Sequence, residues 1–82
     1  MFVMFVMKSL ILYSTGSCHL CERAEGLLRS MPELARVTVD VVDIVGDERL
    51  LARYGTSIPV LSCATREIAW PFNADDVLQL LD

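Results

Sequence analysis

The chain has 82 residues, a formal net charge of −4 and 54% hydrophobic residues. This length corresponds to one small domain, and the apolar fraction is sufficient for a hydrophobic core. Acidic and basic residues are interspersed, which excludes the basic footprint of a nucleic-acid-binding protein. Three cysteines are an odd number, which argues against a secreted disulfide framework and favours a reducing, cytoplasmic compartment.

Residues 1–8 are interpreted as an N-terminal apolar extension ahead of a domain at 9–82. The apolar run is far shorter than the ~20 residues of a membrane span. Lys8 follows the run, whereas a signal peptide places its basic residues first. The run could be an anchor, an interaction strand or an extension of the first strand, or its methionines could be alternative starts. We favour a frayed strand extension or an incidental leader, with no membrane partner.

The first two predicted elements are a strand and a helix joined by a short loop. Leu10–Tyr13 is apolar without alternation, which is typical of a strand buried on both faces. Ser14–Ser17 forms the loop, Ser17 is the predicted N-cap of the helix, and Pro32 ends the helix. The predicted apolar face contains Leu20, Ala24, Leu27, Leu28 and Met31, and the polar face contains Glu22, Arg23, Glu25 and Arg29.

A second strand and a second helix follow. Val37–Val42 alternates and then becomes apolar, which predicts a strand. Asp47 is placed to cap a short helix that Gly55 ends at C′. A third strand is predicted at Ile58–Leu61. The proline is allowed there because a proline near the start of a strand leaves the hydrogen-bond ladder intact. Ala64–Arg66 is the predicted turn to the fourth strand.

Glu67–Trp70 is the predicted fourth strand, in a hairpin with the third. Asn73 is the predicted cap of a last helix, and Phe72 and Val77 fit a hydrophobic staple across its start. The predicted order is therefore β-α-β-α-β-β-α. The β-α-β unit at the start implies parallel strands, so we expect an α/β fold with a mixed four-stranded sheet and helices on both faces.

The sequence Cys18-x-x-Cys21 begins the first helix, where a dithiol redox centre is expected. Unpaired N–H groups and the macrodipole at a helix N-terminus stabilise a thiolate. A residue three positions on is a helical neighbour, so Cys21 can attack a mixed disulfide at Cys18. We therefore assign Cys18 as nucleophile and Cys21 as resolving thiol. His19 would favour the thiolate if protonated, or would only be a solvated residue beside it.

Metal binding is the alternative use of these thiols. A tetrahedral zinc site needs two further ligands, and only Cys63 and His19 remain. His19 is poorly placed to join the cysteines that flank it, so we expect no metal. An iron–sulfur cluster shared by two protomers has no support beyond the thiols. Cys63 itself is expected to be a small buried hydrophobe rather than a redox residue.

Three stretches carry a family resemblance: Tyr13-Ser14, Cys18-x-x-Cys21 and Arg53–Leu61. Together they resemble a glutaredoxin-like member of the thioredoxin superfamily, from about Leu10 to the end. The resemblance implies a thioredoxin-like (glutaredoxin-type) fold and a cis Ile58–Pro59 bond facing the cysteines. It also implies that Ile58 offers its N–H and C=O to an extended substrate. The expected substrate-binding residues are Ile58 and Pro59 together with Tyr13, Ser17 and His19, and core packing is an equally good interpretation of Tyr13.

The chain departs from glutaredoxins that use glutathione. Thr15 stands where those proteins often have lysine, and the stretch before Asp75 and Asp76 lacks their Gly-Gly pair. We therefore expect a monomeric thiol–disulfide oxidoreductase without a cofactor, acting on protein or small-molecule disulfides. Its reductant would be glutathione or a thioredoxin-reductase-type enzyme. The alternatives are a glutathione-dependent glutaredoxin and a non-catalytic binding module or metal carrier with the same fold.

Overall fold

The computed structural model of the protein describes residues 8–82, and the expectations for the apolar run before Lys8 lie outside this range. The described elements follow the predicted β-α-β-α-β-β-α order, with a 3-10 turn added at Pro32–Leu34. The strands are β1 (Ser9–Ser14), β2 (Thr38–Asp43), β3 (Val60–Cys63) and β4 (Arg66–Ala69), and the helices are α1 (His19–Arg29), α2 (Glu48–Tyr54) and α3 (Ala74–Leu81). Within residues 8–82, none of the helices has the length and apolar character needed to cross a membrane.

The four strands form one sheet in the order β2-β1-β3-β4. β1 and β2 are parallel, with Ser14 opposite Asp43 at their carboxyl ends. β3 runs antiparallel to β1, and β4 runs antiparallel to β3. The predicted mixed sheet is therefore confirmed. Because parallel strands end at the same edge, the loops after β1 and β2 lie side by side.

The main core lies on the face of the sheet that α1 and α3 cover. Leu10, Leu12 and Leu61 point from β1 and β3 into this core, where they meet Ala24 of α1 and Val77 of α3. All five have no measurable exposure to solvent. Burying a leucine side chain stabilises the fold by about 1.5–3 kcal/mol, so this layer is a major source of stability.

A smaller cluster lies on the opposite face, under α2. Ile44, Tyr54 and Val60 are buried there, and Tyr13 of β1 packs against them. Successive residues of a strand face opposite sides, so Leu12 and Tyr13 contribute to different layers. Helices therefore cover both faces of the sheet, as predicted.

Two predicted helix caps are wrong. The N-cap of α1 is Cys18, not Ser17. The backbone N–H of Ser17 instead donates to Thr15 Oγ1 at 3.3 Å, which keeps Ser17 in the loop. Gly55 is the C-cap of α2, not C′, and its backbone is right-handed with φ −52°. Glycine is needed there for space, since a Cβ would lie 2.5 Å from the Leu51 carbonyl oxygen.

The hairpin and the last helix differ from prediction only at their ends. β3 begins at Val60, and β4 begins at Arg66 and ends at Ala69. The left-handed residue of the turn between them is Ala64, with φ 54°. The predicted cap of α3 is confirmed: Asn73 accepts from the Asp76 N–H, and the Asp76 carboxylate accepts from the Asn73 N–H, both at 2.9 Å.

Candidate active site

Cys18 and Cys21 lie where β1 passes through a short loop into α1. Cys18 has an extended backbone, φ −116° and ψ 111°, and caps the helix with its own side chain. Its sulfur accepts the backbone N–H of Cys21 at 3.1 Å. An N-cap acceptor pairs with one of the N–H groups that a helix start leaves free. The sulfur of Cys18 is therefore held where the positive end of the helix dipole acts on it.

The two cysteines are joined in a disulfide, with their Cα atoms 5.1 Å apart. Their exposure differs sharply. Cys21 is only 3% exposed, whereas Cys18 is half-buried. A disulfide partner arriving from solvent therefore reaches Cys18 first, which fits the assignment of Cys18 as the attacking thiol. The arrangement is consistent with a redox role for the pair.

His19 lies beside Glu22 at the start of α1. Its Nδ1 lies 3.8 Å from Glu22 Oε2, and the two side chains are 87% and 71% exposed. Such an exposed pair contributes little to stability. The structure thus places His19 beside Cys18 in the chain but gives its imidazole a carboxylate as neighbour. Its role in substrate binding stays a prediction.

The loop between α2 and β3 carries Ile58 and Pro59. Their peptide bond is cis, as is Trp70–Pro71. The Tyr54 carbonyl accepts the N–H groups of Ser57 at 2.8 Å and Ile58 at 3.1 Å. The predicted donor to a substrate, the Ile58 N–H, therefore already has a partner inside the protein. A substrate strand would have to displace the Tyr54 carbonyl, while hydrogen bonding to the Ile58 carbonyl stays a prediction.

Tyr13 is held by an aromatic stack on the α2 side of the sheet. Its ring lies 4.3 Å from that of Tyr54, with 18° between the planes. The Tyr54 hydroxyl donates to Glu67 Oε2 at 2.7 Å, and Arg53 lies 3.4 Å from the other carboxylate oxygen. Burial, followed by the hydrogen bond to Glu67, raises the pKa of Tyr54 to about 12. Tyr13 is thus a packing residue, and its predicted contact with substrate is untested.

A cavity of about 280 Å³ lies beside Cys21, between α1 and the ends of β1 and β2. The sequence predicts Glu25 on the polar face of α1. Glu25 is instead half-buried and lines this cavity together with Ser14, Glu22 and Asp43. One signal could have found Glu25: it lies one helical turn after Cys21, on the same side of α1. Asp43 lines the cavity only because β1 and β2, which are far apart in the sequence, pair in the sheet.

Three other residues considered from the sequence make structural contacts. Cys63 ends β3 at the opposite end of the sheet from Cys18, and it packs against the main core. Trp70 packs edge-on against Phe72, with ring centroids 5.0 Å apart. Asp76, which follows the stretch that lacks the Gly-Gly pair, forms part of the cap of α3. Within residues 8–82, His, Cys, Asp and Glu side chains form no group of three or more suited to a metal ion.

This chain is similar to a known protein family and to two solved structures. The family model of the glutaredoxin-like domain (DUF836) matches residues 9–82. The X-ray structure of protein XcR50 from X. campestris is 34% identical, with a TM-score of 0.70, over 89% of this chain and 95% of that one. The solution NMR structure of protein Ne2328 from Nitrosomonas europaea is 26% identical, with a TM-score of 0.78, over 100% of both chains. A search of curated proteins gives no match.

The match spans every described strand and helix and includes both cysteines. The resemblance noted in the sequence is thereby confirmed, and the fold is thioredoxin-like. The chain belongs to the glutaredoxin-like domain family.

Proposed function

We propose that the protein is a thiol–disulfide oxidoreductase that reduces disulfides by exchange at Cys18. The observation that carries the proposal is the unequal pair at the start of α1. Cys18 is half-buried at the N-cap, and Cys21 is buried one turn further on and bonded to it. This is the arrangement that sequential attack by two thiols requires.

The reduced protein would act in two steps. The Cys18 thiolate attacks one sulfur of the substrate, a bond forms between these sulfurs, and the departing thiolate takes a proton from water. Cys21 then loses its proton and attacks Cys18 Sγ, which releases the second half of the substrate as a thiolate. Two electrons have passed to the substrate, and the Cys18–Cys21 disulfide of the structure remains.

Two backbone features support the assignment of Cys18 as the attacking group. The helix start directs positive potential at its sulfur, and the Cys21 N–H donates to that sulfur at 3.1 Å. Hydrogen bonding to a charged form stabilises it, so we expect the same contact to favour the Cys18 thiolate after reduction. Cys21 has no comparable access to solvent, which suits an intramolecular role.

We further propose that substrate lies along Pro59 and Ile58, with Tyr13, Ser17 and His19 around it. Electrons would come from glutathione or from a thioredoxin-reductase-type enzyme. The exchange chemistry itself requires no metal or organic cofactor. We propose a monomer acting in the cytoplasm on protein or small-molecule disulfides.

The test uses three single variants and bis(2-hydroxyethyl) disulfide as substrate. Cys18→Ser should abolish oxidation of the pre-reduced protein by this disulfide. Cys21→Ser should form a mixed disulfide at Cys18 that persists, visible as one added mercaptoethanol by mass spectrometry. Cys63→Ser is the matched control. It should keep the wild-type rate, since Cys63 lies at the opposite end of the sheet from Cys18. Full reductase activity in Cys18→Ser would overturn the proposal.

A further inference from the structure

The strand β2 forms one edge of the sheet, and its outer side has no strand partner among residues 8–82. The Thr38 N–H donates to the Lys8 carbonyl at 3.2 Å, so the backbone of Thr38 faces β1. Successive residues of a strand direct their N–H and C=O groups to opposite sides, so those of Val39 and Val41 point outward. Such an open row of backbone groups can pair with another extended segment.

An apolar cavity of about 340 Å³ lies at the same edge, between β2, α1 and the 3-10 turn. Val39 and Val41 form its wall on the sheet, and Val41 is 48% exposed. Its other apolar walls include Leu28, Met31 and Leu34. The same two valines thus present side chains to the cavity and open backbone groups to the edge. This combination favours an extended apolar segment as the occupant.

The chain contains a segment with the composition that this site accepts. Residues 1–7 are all Met, Phe or Val, and phenylalanine and valine are strong strand formers. A segment of this length without charge or proline pairs readily with a sheet edge, and left uncovered it would pair between molecules. Cover for the segment and cover for the edge are therefore complementary needs.

The segment is joined to the fold next to this edge. Lys8 follows it directly, and Lys8 is fixed by its carbonyl to Thr38 and by its ammonium group to the Leu81 carbonyl. The outer side of β2 is two strand spacings from β1, about 10 Å, and Thr38 to Val41 covers about 10 Å along the edge. Seven extended residues span about 23 Å, so the segment reaches Val41. The opposite edge is one strand further from β1, and its strand β4 begins with two charged residues.

We propose that residues 1–7 lie along the outer edge of β2 as an added strand of the same molecule, with apolar side chains in the cavity. The added strand runs antiparallel to β2, because the chain turns back near Lys8 to enter β1, which is parallel to β2. It pairs with the N–H and C=O groups of Val39 and Val41. The inference does not depend on exchange at Cys18. It gives the open edge a cover that prevents two copies from pairing there.

Amide hydrogen exchange, followed by NMR on the full chain, tests the pairing. The amides of Val39 and Val41 should exchange slowly, because the added strand accepts their hydrogen bonds. The amides of Asp40 and Val42 face β1 and serve as internal references within the same strand. If the two outward valine amides exchange as fast as amides of exposed loops, the edge is open and the proposal is overturned.

Two matched double variants of the full chain use the alternation of a strand. Val3→Ser with Phe5→Ser alters one face of the segment, and Phe2→Ser with Met4→Ser alters the other. The pair that faces the cavity should speed exchange of the two outward valine amides by at least about tenfold, the effect of losing one buried phenylalanine. The other pair should leave the exchange rate near that of wild type. Equal effects of the two pairs, or no effect of either, would contradict a strand with one buried face.

Protein concentration identifies whose segment covers the edge. Slow exchange at Val39 and Val41 should be the same at low and high protein concentration, and sedimentation should give a monomer at both. Slow exchange that appears only at high concentration, together with a dimer, would assign the edge to a second copy. That result would overturn pairing within one molecule.

Discussion

Tyr54→Phe should destabilise the protein while leaving the aromatic stack intact. The change removes only the hydroxyl that donates to Glu67 Oε2 at 2.7 Å. The Tyr54 ring is 6% exposed and keeps its partner Tyr13, 4.3 Å away. The variant therefore isolates one hydrogen bond that ties α2 to β4. The same bond steadies the loop from Gly55 to Pro59, whose start is fixed by the Tyr54 carbonyl.

The pKa of Tyr54 is raised from 10.0 to about 12, first by burial, so this shift reports the cost of ionising the phenol and not the strength of the hydrogen bond. A hydrogen bond to a charged acceptor contributes about 1.5–3 kcal/mol. The Glu67 side chain is 33% exposed, so solvent screening lowers the expected loss to about 1–2 kcal/mol. For a domain of this size each kcal/mol lowers Tm by about 4–8 °C.

The sign of the pH dependence is fixed by the same shift. The folded state favours the neutral phenol, so the contribution of Tyr54 is complete below pH 10 and is lost as the pH rises towards 12. Urea unfolding at pH 7 should separate wild type from Tyr54→Phe, and the gap should narrow between pH 10 and 12. Tyr13→Phe is the matched control, because the Tyr13 hydroxyl has no hydrogen bond among residues 8–82. A Tyr54→Phe protein as stable as wild type at pH 7, or a gap unchanged at pH 12, would refute the reasoning.

Two further stability predictions use caps and spacing. Asn73→Ala removes the side chain that accepts from the Asp76 N–H at 2.9 Å, so it should cost about 0.5–2 kcal/mol in urea unfolding; a neutral result would show that the cap is not formed in solution. Gly55→Ala should cost about 1–3 kcal/mol, because its Cβ would lie 2.5 Å from the Leu51 oxygen. The control Gly26→Ala has no atom within 4 Å of the new Cβ and should stabilise α1 by about 0.5–1 kcal/mol; equal signs for the two would contradict the spacing argument.

The features that the sequence predicted depend on short-range patterns. Cys18 and Cys21 are three residues apart on one helix, so their meeting follows from helix geometry alone. The order of strands and helices follows from apolar periodicity, with proline and glycine at the breaks. The cap of α3 is equally local, since Asn73 and Asp76 lie within one turn. These predictions needed no knowledge of which strands are neighbours.

The features that the sequence missed depend on strand pairing or on competition between groups a few residues apart. Ser14 and Asp43 lie opposite each other only because β1 and β2 pair in one particular register, and a slip of one strand by one residue would turn its side chain to the other face of the sheet. The bond from Tyr54 to Glu67 likewise joins a helix to an edge strand. Ser17 is not the N-cap of α1, because the Cys18 sulfur accepts the Cys21 N–H at the helix start. The prediction chose Ser17 because capping statistics favour a side-chain oxygen.

The carboxylates near the cysteines set two electrostatic effects against each other. Glu22, Glu25 and Asp43 line the cavity beside Cys21, and their charges oppose the formation of a thiolate at Cys18. The helix start and the Cys21 N–H act on the Cys18 sulfur at contact distance, 3.1 Å for the hydrogen bond, whereas Cys18 does not line the cavity that holds the carboxylates. Coulomb energy falls with distance, and solvent in the open cavity screens the carboxylates further. The short-range stabilisation of the thiolate should therefore prevail.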